Sequence, residues 1–220
     1  AECTEAEPGY SVSDSGSDSQ DQCDLGTYQP SSGQSACIQA DPGYSVPYLG
    51  SYFQVICEPG TYQPSSAQSS CIEADPGFFV DAEGSVVQVP APLDYYAEGL
   101  ASTSPEECPE IHITLEPASD SPDDCHPDSD GDRIPDYEDE DDDNDGKLDP
   151  DDSCTPGETG WSSGKVDDKD DDGCRDSDED SDDDGDAVAD TLDSCALGAL
   201  NWISSNLTDN DGDGCRDTIE

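Results

Sequence analysis

Positive charge is nearly missing from this chain. Its 220 residues include 57 Asp and Glu but only 6 Lys and Arg, for a formal net charge of -51. Such a surface repels phosphates, which excludes nucleic acid as a partner and disfavours anionic membranes. Apolar residues are scarce too: Leu, Ile, Val and Phe number 30 together, under a seventh of the chain. This combination ordinarily leaves a chain disordered, because too little apolar burial is available to offset chain entropy. No apolar run approaches the ~20 residues of a membrane span. Methionine is absent. There are two histidines, His112 and His126, with no partner at a catalytic spacing, so no enzyme is expected; His126 reads as structural. No two cysteines lie nearer than 14 positions, which removes the close Cys-x-x-Cys pairs that zinc sites need.

Two features remain that could hold a fold: 11 cysteines and dense acidic clusters. The cysteines lie among Gly, Pro and Ser, the pattern of a disulfide framework in an oxidising, extracellular or cell-surface setting. The chain opens "AEC" without a leader, as expected of a processed product or an excerpt of something longer.

Residues 1–80 repeat with a period of 34. "CDLGTYQPSSGQSAC" (23–37) matches "CEPGTYQPSSAQSSC" (57–71), with tails "IQADPGYSV" and "IEADPGFFV"; "CTEAEPGYSV" (3–12) is a tail lacking its front half. Pro-Gly in each unit argues against helices and for short hairpins. Gly-Thr-Tyr-Gln would be a strand, Pro-Ser-Ser-Gly/Ala the turn, and the cysteines a clasp. That pairs Cys23 with Cys37 and Cys57 with Cys71; spacing alone also permits Cys3–Cys23 and Cys37–Cys57. Residues 81–125 read as a connector, with "SVVQV" (85–89) as one strand and Cys108 paired with Cys125. Cys3 is left over, for a partner upstream or on another subunit.

Residues 126–220 form a second system. The segments from Cys154 and from Cys195 align without gaps at a period of 41, with Trp161/Trp202 and Cys174/Cys215 in phase. Cys154–Cys174 and Cys195–Cys215 are the expected disulfides, each with its Trp packed over it.

Five acidic segments in this half share one spacing. Carboxylates so dense repel each other, by roughly 3 kcal/mol for a pair ~6 Å apart at an effective dielectric near 20. A cation in the middle removes that cost. Calcium takes six to eight oxygens, and a 12-residue loop supplies them from positions 1, 3, 5, 7 (carbonyl), 9 and 12, with glycine near 6 for the turn. The first loop offers Asp128, Asp130, Asp132, the Ile134 carbonyl, Asp136 and Asp139. The second offers Asp141, Asp143, Asp145, the Lys147 carbonyl, Asp149 and Asp152. The third offers Asp168, Asp170, Asp172, the Cys174 carbonyl, Asp176 and Glu179. The fourth offers Asp182, Asp184, Asp186, the Val188 carbonyl, Asp190 and Asp193. The fifth offers Asp209, Asp211, Asp213, the Cys215 carbonyl, Asp217 and Glu220. About five or more calcium ions are implied. A solvated acidic tail would not keep Gly and Cys in phase. A helix–loop–helix sensor is not expected either, since no amphipathic helices flank the loops. Neighbouring loops nearly abut and can share carboxylates, with Asp139, Asp178 and Asp180 at the junctions. "DSGSDSQD" (14–21) is acidic but out of phase.

The N-terminal units resemble the cysteine-rich repeats of tumour-necrosis-factor-receptor and ephrin-receptor type, on the Cys-x-x-Gly-Thr-Tyr signature; Asp41 and Asp75 stand where those repeats usually carry another cysteine. On "DSDGDRIPDYED" and "DDDNDGKLDPDD", residues 126–220 resemble the thrombospondin type 3 repeat. That resemblance implies a chain wrapped, with little regular structure, around a row of calcium ions and tied by disulfides. The expected fold is small, disulfide-rich and mostly irregular, with short β-hairpins: an elongated repeat array whose C-terminal half wraps calcium ions. The expected role is an extracellular structural module, a stalk segment or filament subunit that self-associates or belongs to a longer chain. The alternative is a calcium-dependent adhesion module for glycan, protein or mineral. The chain stops at the last ligand of the fifth loop, as expected of a segment of an ongoing array. Asn206-Leu207-Thr208 is the one N-glycosylation sequon.

Overall fold

The computed structural model describes residues 5–14 and 16–217, so Cys3 and the expected ligand Glu220 lie outside the described residues. The chain divides into two compact units, Ala1–Cys125 and His126–Glu220. Among the described residues five disulfides are formed: Cys23–Cys37, Cys57–Cys71, Cys108–Cys125, Cys154–Cys174 and Cys195–Cys215. Of the two pairings that spacing allowed in the first 80 residues, the hairpin clasp is the one present.

Among the described residues, the first unit contains six two-stranded antiparallel hairpins and a further short strand, His112–Ile113. The hairpins pair β1 (Tyr10–Ser11) with β2 (Asp21–Gln22), β3 (Thr27–Tyr28) with β4 (Ile38–Gln39), and β5 (Tyr44–Ser45) with β6 (Val55–Ile56). Then follow β7 (Thr61–Tyr62) with β8 (Ile72–Glu73), β9 (Phe78–Phe79) with β10 (Val89–Pro90), and β11 (Tyr95–Tyr96) with β12 (Glu106–Glu107). Each hairpin begins 17 residues after the last, half the period visible in the sequence. The same pitch runs through 81–125, where a connector was expected: β10, β11 and β12 lie there. The strand expected at 85–89 narrows to Val89–Pro90.

The shorter pitch is masked because two kinds of closure alternate over the first five hairpins. Those starting at Cys23 and Cys57 are closed by a disulfide. The first, third and fifth are closed by a glutamine. Gln54 accepts the Asp41 N–H at 2.8 Å and donates to the Asp41 carboxylate at 2.9 Å. Gln88 does the same to Asp75, at 2.8 Å both ways, and Gln20 accepts the Glu7 N–H at 2.8 Å. Asp41 and Asp75, which replace a cysteine of the resembling family, thus belong to a non-covalent clasp.

A core of small residues recurs at the same pitch. Ala6, Cys23, Ala40, Cys57, Ala74, Ala91 and Cys108 are all buried, as are Gln29, Val46, Gln63, Val80, Ala97 and Thr114. The buried glutamines are satisfied: Gln29 donates to the Ala36 carbonyl at 2.7 Å and Gln63 to the Ser70 carbonyl at 2.8 Å. Main-chain bonds tie each hairpin to the next. The Gly43 N–H donates to Gln63 O and the Gly60 N–H to Val80 O, both at 2.7 Å. Backbones run so close that a Cβ on Gly43 would overlap the Gly84 carbonyl, and one on Gly60 the Ala101 carbonyl. Both glycines have positive φ, which also disfavours a side chain. Small residues and backbone hydrogen bonds here do what bulky apolar side chains do elsewhere.

Regular structure in the second unit is confined, among the described residues, to His126–Pro127 and one 3-10 turn, Asp149–Asp151. His126 stacks edge-on against Tyr137, ring centres 5.2 Å apart. What orders this unit is its acidic loops.

Candidate metal centres

All five loops share one local geometry, built from aspartates acting on their own backbone. Numbering each loop from its first aspartate, position 9 turns back and accepts the N–H of position 2. The distances are 2.8 Å for Asp136, 2.9 Å for Asp149, Asp176 and Asp190, and 3.0 Å for Asp217. Position 1 accepts the N–H of position 6: Arg133 to Asp128, Gly146 to Asp141, Gly173 to Asp168, Ala187 to Asp182 and Gly214 to Asp209. Position 5 accepts the N–H of position 7, donated by Ile134, Lys147, Cys174, Val188 and Cys215. Short side chains that bond backbone two to seven residues away stabilise turns, and Asp is suited to this.

The curl requires left-handed backbone twice per loop, at positions 4 and 6. Gly131, Asn144, Asp171, Gly185 and Gly212 occupy position 4 with positive φ; Arg133, Gly146, Gly173, Ala187 and Gly214 occupy position 6. Glycine was expected near position 6 alone. Arg133 and Ala187 adopt the same conformation without it, held by the position-1 carboxylate.

These turns aim side chains inward. In the first four loops the carboxylate oxygens of positions 1, 3 and 5 approach within 4.8 Å of one another: Asp128/Asp130/Asp132, Asp141/Asp143/Asp145, Asp168/Asp170/Asp172 and Asp182/Asp184/Asp186. Such groups could hold metal ions. Asp128, Asp143, Asp145, Asp168, Asp184, Asp186 and Asp209 are buried, against the general rule for aspartate. Several buried carboxylate oxygens have no hydrogen-bond donor: Asp141 Oδ1, Asp145 Oδ2, Asp170 Oδ1, Asp184 Oδ1, Asp186 Oδ2 and Asp193 Oδ2. An orphaned buried anion is costly, and a cation is the group that would satisfy it.

Position 12 divides the loops. Asp193 gives one oxygen to the Cys195 N–H at 2.6 Å and repels Asp184 and Asp186, so it stands beside positions 3 and 5 of its own loop. Asp152 bonds the Cys154 N–H at 2.7 Å and stands beside Asp143, Asp145 and Asp172. Asp139 instead caps the backbone of Glu140 and Asp141 at 2.7 and 3.1 Å. Glu179 accepts the Glu158 N–H at 2.6 Å, next to Gly157, whose N–H donates to Asp143 at 2.8 Å. Of the other junction residues, Asp178 forms a two-pronged pair with Arg175, at 2.6 and 2.5 Å.

Electrostatics records the crowding. Burial, then the charges of Asp149, Asp136 and Asp139, raise Asp142 to about 6. Burial, then Asp143 and Asp145, lift Asp152 to about 6. Burial, then Asp186 and Asp193, do the same to Asp184, and burial, then Asp190 and Asp176, to Asp183. Asp170 reaches about 7 through burial and the charges of Asp172, Asp180 and Asp168. Asp209 moves the other way, because the Ser204 hydroxyl donates to it at 2.7 Å.

Some residues of these centres escaped sequence reasoning. Ser163 donates its N–H to the Asp145 carbonyl at 2.8 Å and its hydroxyl to Asp168 at 2.5 Å, linking the second loop to the third. Ser204 links Asp186 to Asp209 in the same way. Gly157 and Gly198 donate to Asp143 and Asp184 at 2.8 and 2.9 Å. The 41-residue alignment put each of these pairs in register, which was the available signal. Asp176, Asp180 and Asp183 also converge within 4.8 Å, although they come from the end of one loop and the start of the next. The tryptophans face cations: Arg175 lies 5.9 Å from the Trp161 ring centre and Arg216 the same distance from Trp202.

No family model matches the chain, and no curated protein shows significant similarity to it.

Proposed function

We propose that this protein is an extracellular, calcium-stabilised structural module, a stalk segment or a subunit of a surface filament. The observation that carries the reading is the set of buried, donor-less carboxylate oxygens on Asp145, Asp184 and Asp186, each inside a triplet of converging aspartates. Calcium takes six to eight hard oxygen donors, whereas magnesium prefers small octahedral sites that keep several waters. Positions 1, 3 and 5 of each loop would hold the ion, joined by Asp152 and Asp193 in the second and fourth loops. The position-9 aspartates fasten the loops. The resemblance to thrombospondin type 3 repeats supports the same reading. Five disulfides support an oxidising environment. Asn206 is exposed in a turn, accessible for a glycan.

Native mass spectrometry with and without chelator tests this. About five or more calcium ions per chain are expected, with self-association into rods or fibres seen by electron microscopy. A chain that takes up no calcium at millimolar concentration would end the reading. The adhesion alternative is favoured by one observation, the exposed aromatic loop at 47–53.

A further inference from the structure

In a protein this poor in apolar residues, one loop gathers four large ones in the open. Between β5 and β6, Tyr48 is 72% exposed, Leu49 55%, Tyr52 59% and Phe53 50%. The rings of Tyr52 and Phe53 meet edge to face, centres 5.0 Å apart. The fold does not ask for them. One full 34-residue period earlier the corresponding residues are Asp14, Ser15, Asp18 and Ser19; one period later they are Ala82, Glu83, Val86 and Val87. The hairpins formed by those segments have the same register and a positive-φ glycine at the same place, Gly16, Gly50 and Gly84. The aromatic side chains of 48–53 therefore add nothing to hairpin formation and expose apolar surface, which marks an interaction site.

Charge decides the occupant. Residues 1–125 contain no lysine or arginine. The loop itself abuts β2, since a Cβ on Gly50 would touch the Gln22 amide, and the neighbours Asp21 and Asp24 are exposed acids. The same unit of a second copy brings no lysine or arginine to these rings. Electron-rich ring faces within an all-acidic surface attract a cation carried on an apolar stem. The protein already uses this contact internally, with Arg175 against Trp161 and Arg216 against Trp202.

We propose that the loop 47–53 is a docking site for a basic segment of a partner protein, with arginine or lysine side chains laid across Tyr48, Tyr52 and Phe53. This is independent of whether the second unit holds calcium.

The test uses the full chain in calcium-containing buffer and a synthetic peptide of repeated Arg-Leu-Gly triplets, with a Glu-Leu-Gly peptide as its counterpart. Calorimetry should show the basic peptide binding and the acidic one not. The variant carrying Tyr48→Ser, Tyr52→Ser and Phe53→Ser should bind about tenfold or more weakly. On the unaltered protein, NMR shifts caused by the basic peptide should centre on 48–53, which keeps the test valid if the variant misfolds. Equal binding by the variant, with shifts spread over the acidic surface, would overturn the proposal in favour of charge alone. Binding of the acidic peptide would overturn it too. So would a loop-dependent dimer in sedimentation, or a loop-dependent response to a neutral oligosaccharide with none to the basic peptide.

Discussion

Removing divalent cations should unfold the second unit and spare the first. Within each of four loops three carboxylates lie within 4.8 Å of one another. At an effective dielectric near 20, each pair at that distance costs about 3 kcal/mol, so an uncompensated triplet costs about 10 kcal/mol. A whole domain is commonly stable by about 5–15 kcal/mol. Each disulfide of the unit returns only about 3 kcal/mol through the unfolded state. Even one bare, fully ionised loop therefore rivals the stability available. Protons can replace part of the cation's work. Asp142, Asp152, Asp183 and Asp184 at about 6, and Asp170 at about 7, lie above the ordinary carboxylate value in the folded unit. The folded state thus binds protons that the unfolded chain releases, so in chelator stability is gained as pH falls from about 7 towards 4 and lost as it rises again. Both tryptophans, Trp161 and Trp202, are in the second unit, whereas every tyrosine except Tyr137 is in the first. Tryptophan fluorescence and near-ultraviolet tyrosine dichroism therefore report the units separately. In excess chelator at neutral pH the tryptophan signal should become that of an unfolded chain, with 126–220 open to protease, and should recover in part on acidification. Unchanged tryptophan emission and protease resistance in chelator at neutral pH would refute the argument.

Asp186→Asn keeps the acceptor for the Val188 N–H but replaces the donor-less Oδ2 with an amide nitrogen; calcium affinity of one site should fall about tenfold or more by calorimetry, and an unaltered isotherm would show that Oδ2 is not a ligand. Gly60→Ala, whose Cβ would overlap the Ala101 carbonyl, should lower first-unit stability by roughly 3 kcal/mol or more in denaturant titration. Gly99→Ala, also at positive φ but with open space around it, should cost only about 1 kcal/mol, and equal losses would contradict the packing described. Replacing Cys57 and Cys71 together by Ser should cost about 3 kcal/mol, whereas Gln54→Ala should cost about 1 kcal/mol, read from the same titration; a larger loss from Gln54→Ala would mean that the amide clasp is the stronger one.

The sequence by itself determined the bond chemistry of this protein. Cysteines too far apart for zinc and regularly spaced among turn residues specified a disulfide framework, while spacing left two pairings open in the first 80 residues and the fold chose Cys23–Cys37 and Cys57–Cys71. The Asp alternation specified inward-facing carboxylates, because side chains 1, 3 and 5 of a curled loop must share a side. Only the tertiary structure decided which atoms serve which purpose. Position 9 looks like a ligand in sequence, and the fold shows it also fastening the N–H of position 2, while Asp176 converges with Asp180 and Asp183 as well. Asp193 reaches its own loop while Glu179 reaches toward the preceding one, a difference of chain path invisible in spacing. The 17-residue pitch was hidden because a disulfide and a Gln–Asp amide clasp close alike hairpins with unlike residues. Backbone hydrogen bonds between neighbouring hairpins, which carry no side-chain signature, are what make the alternation one continuous unit.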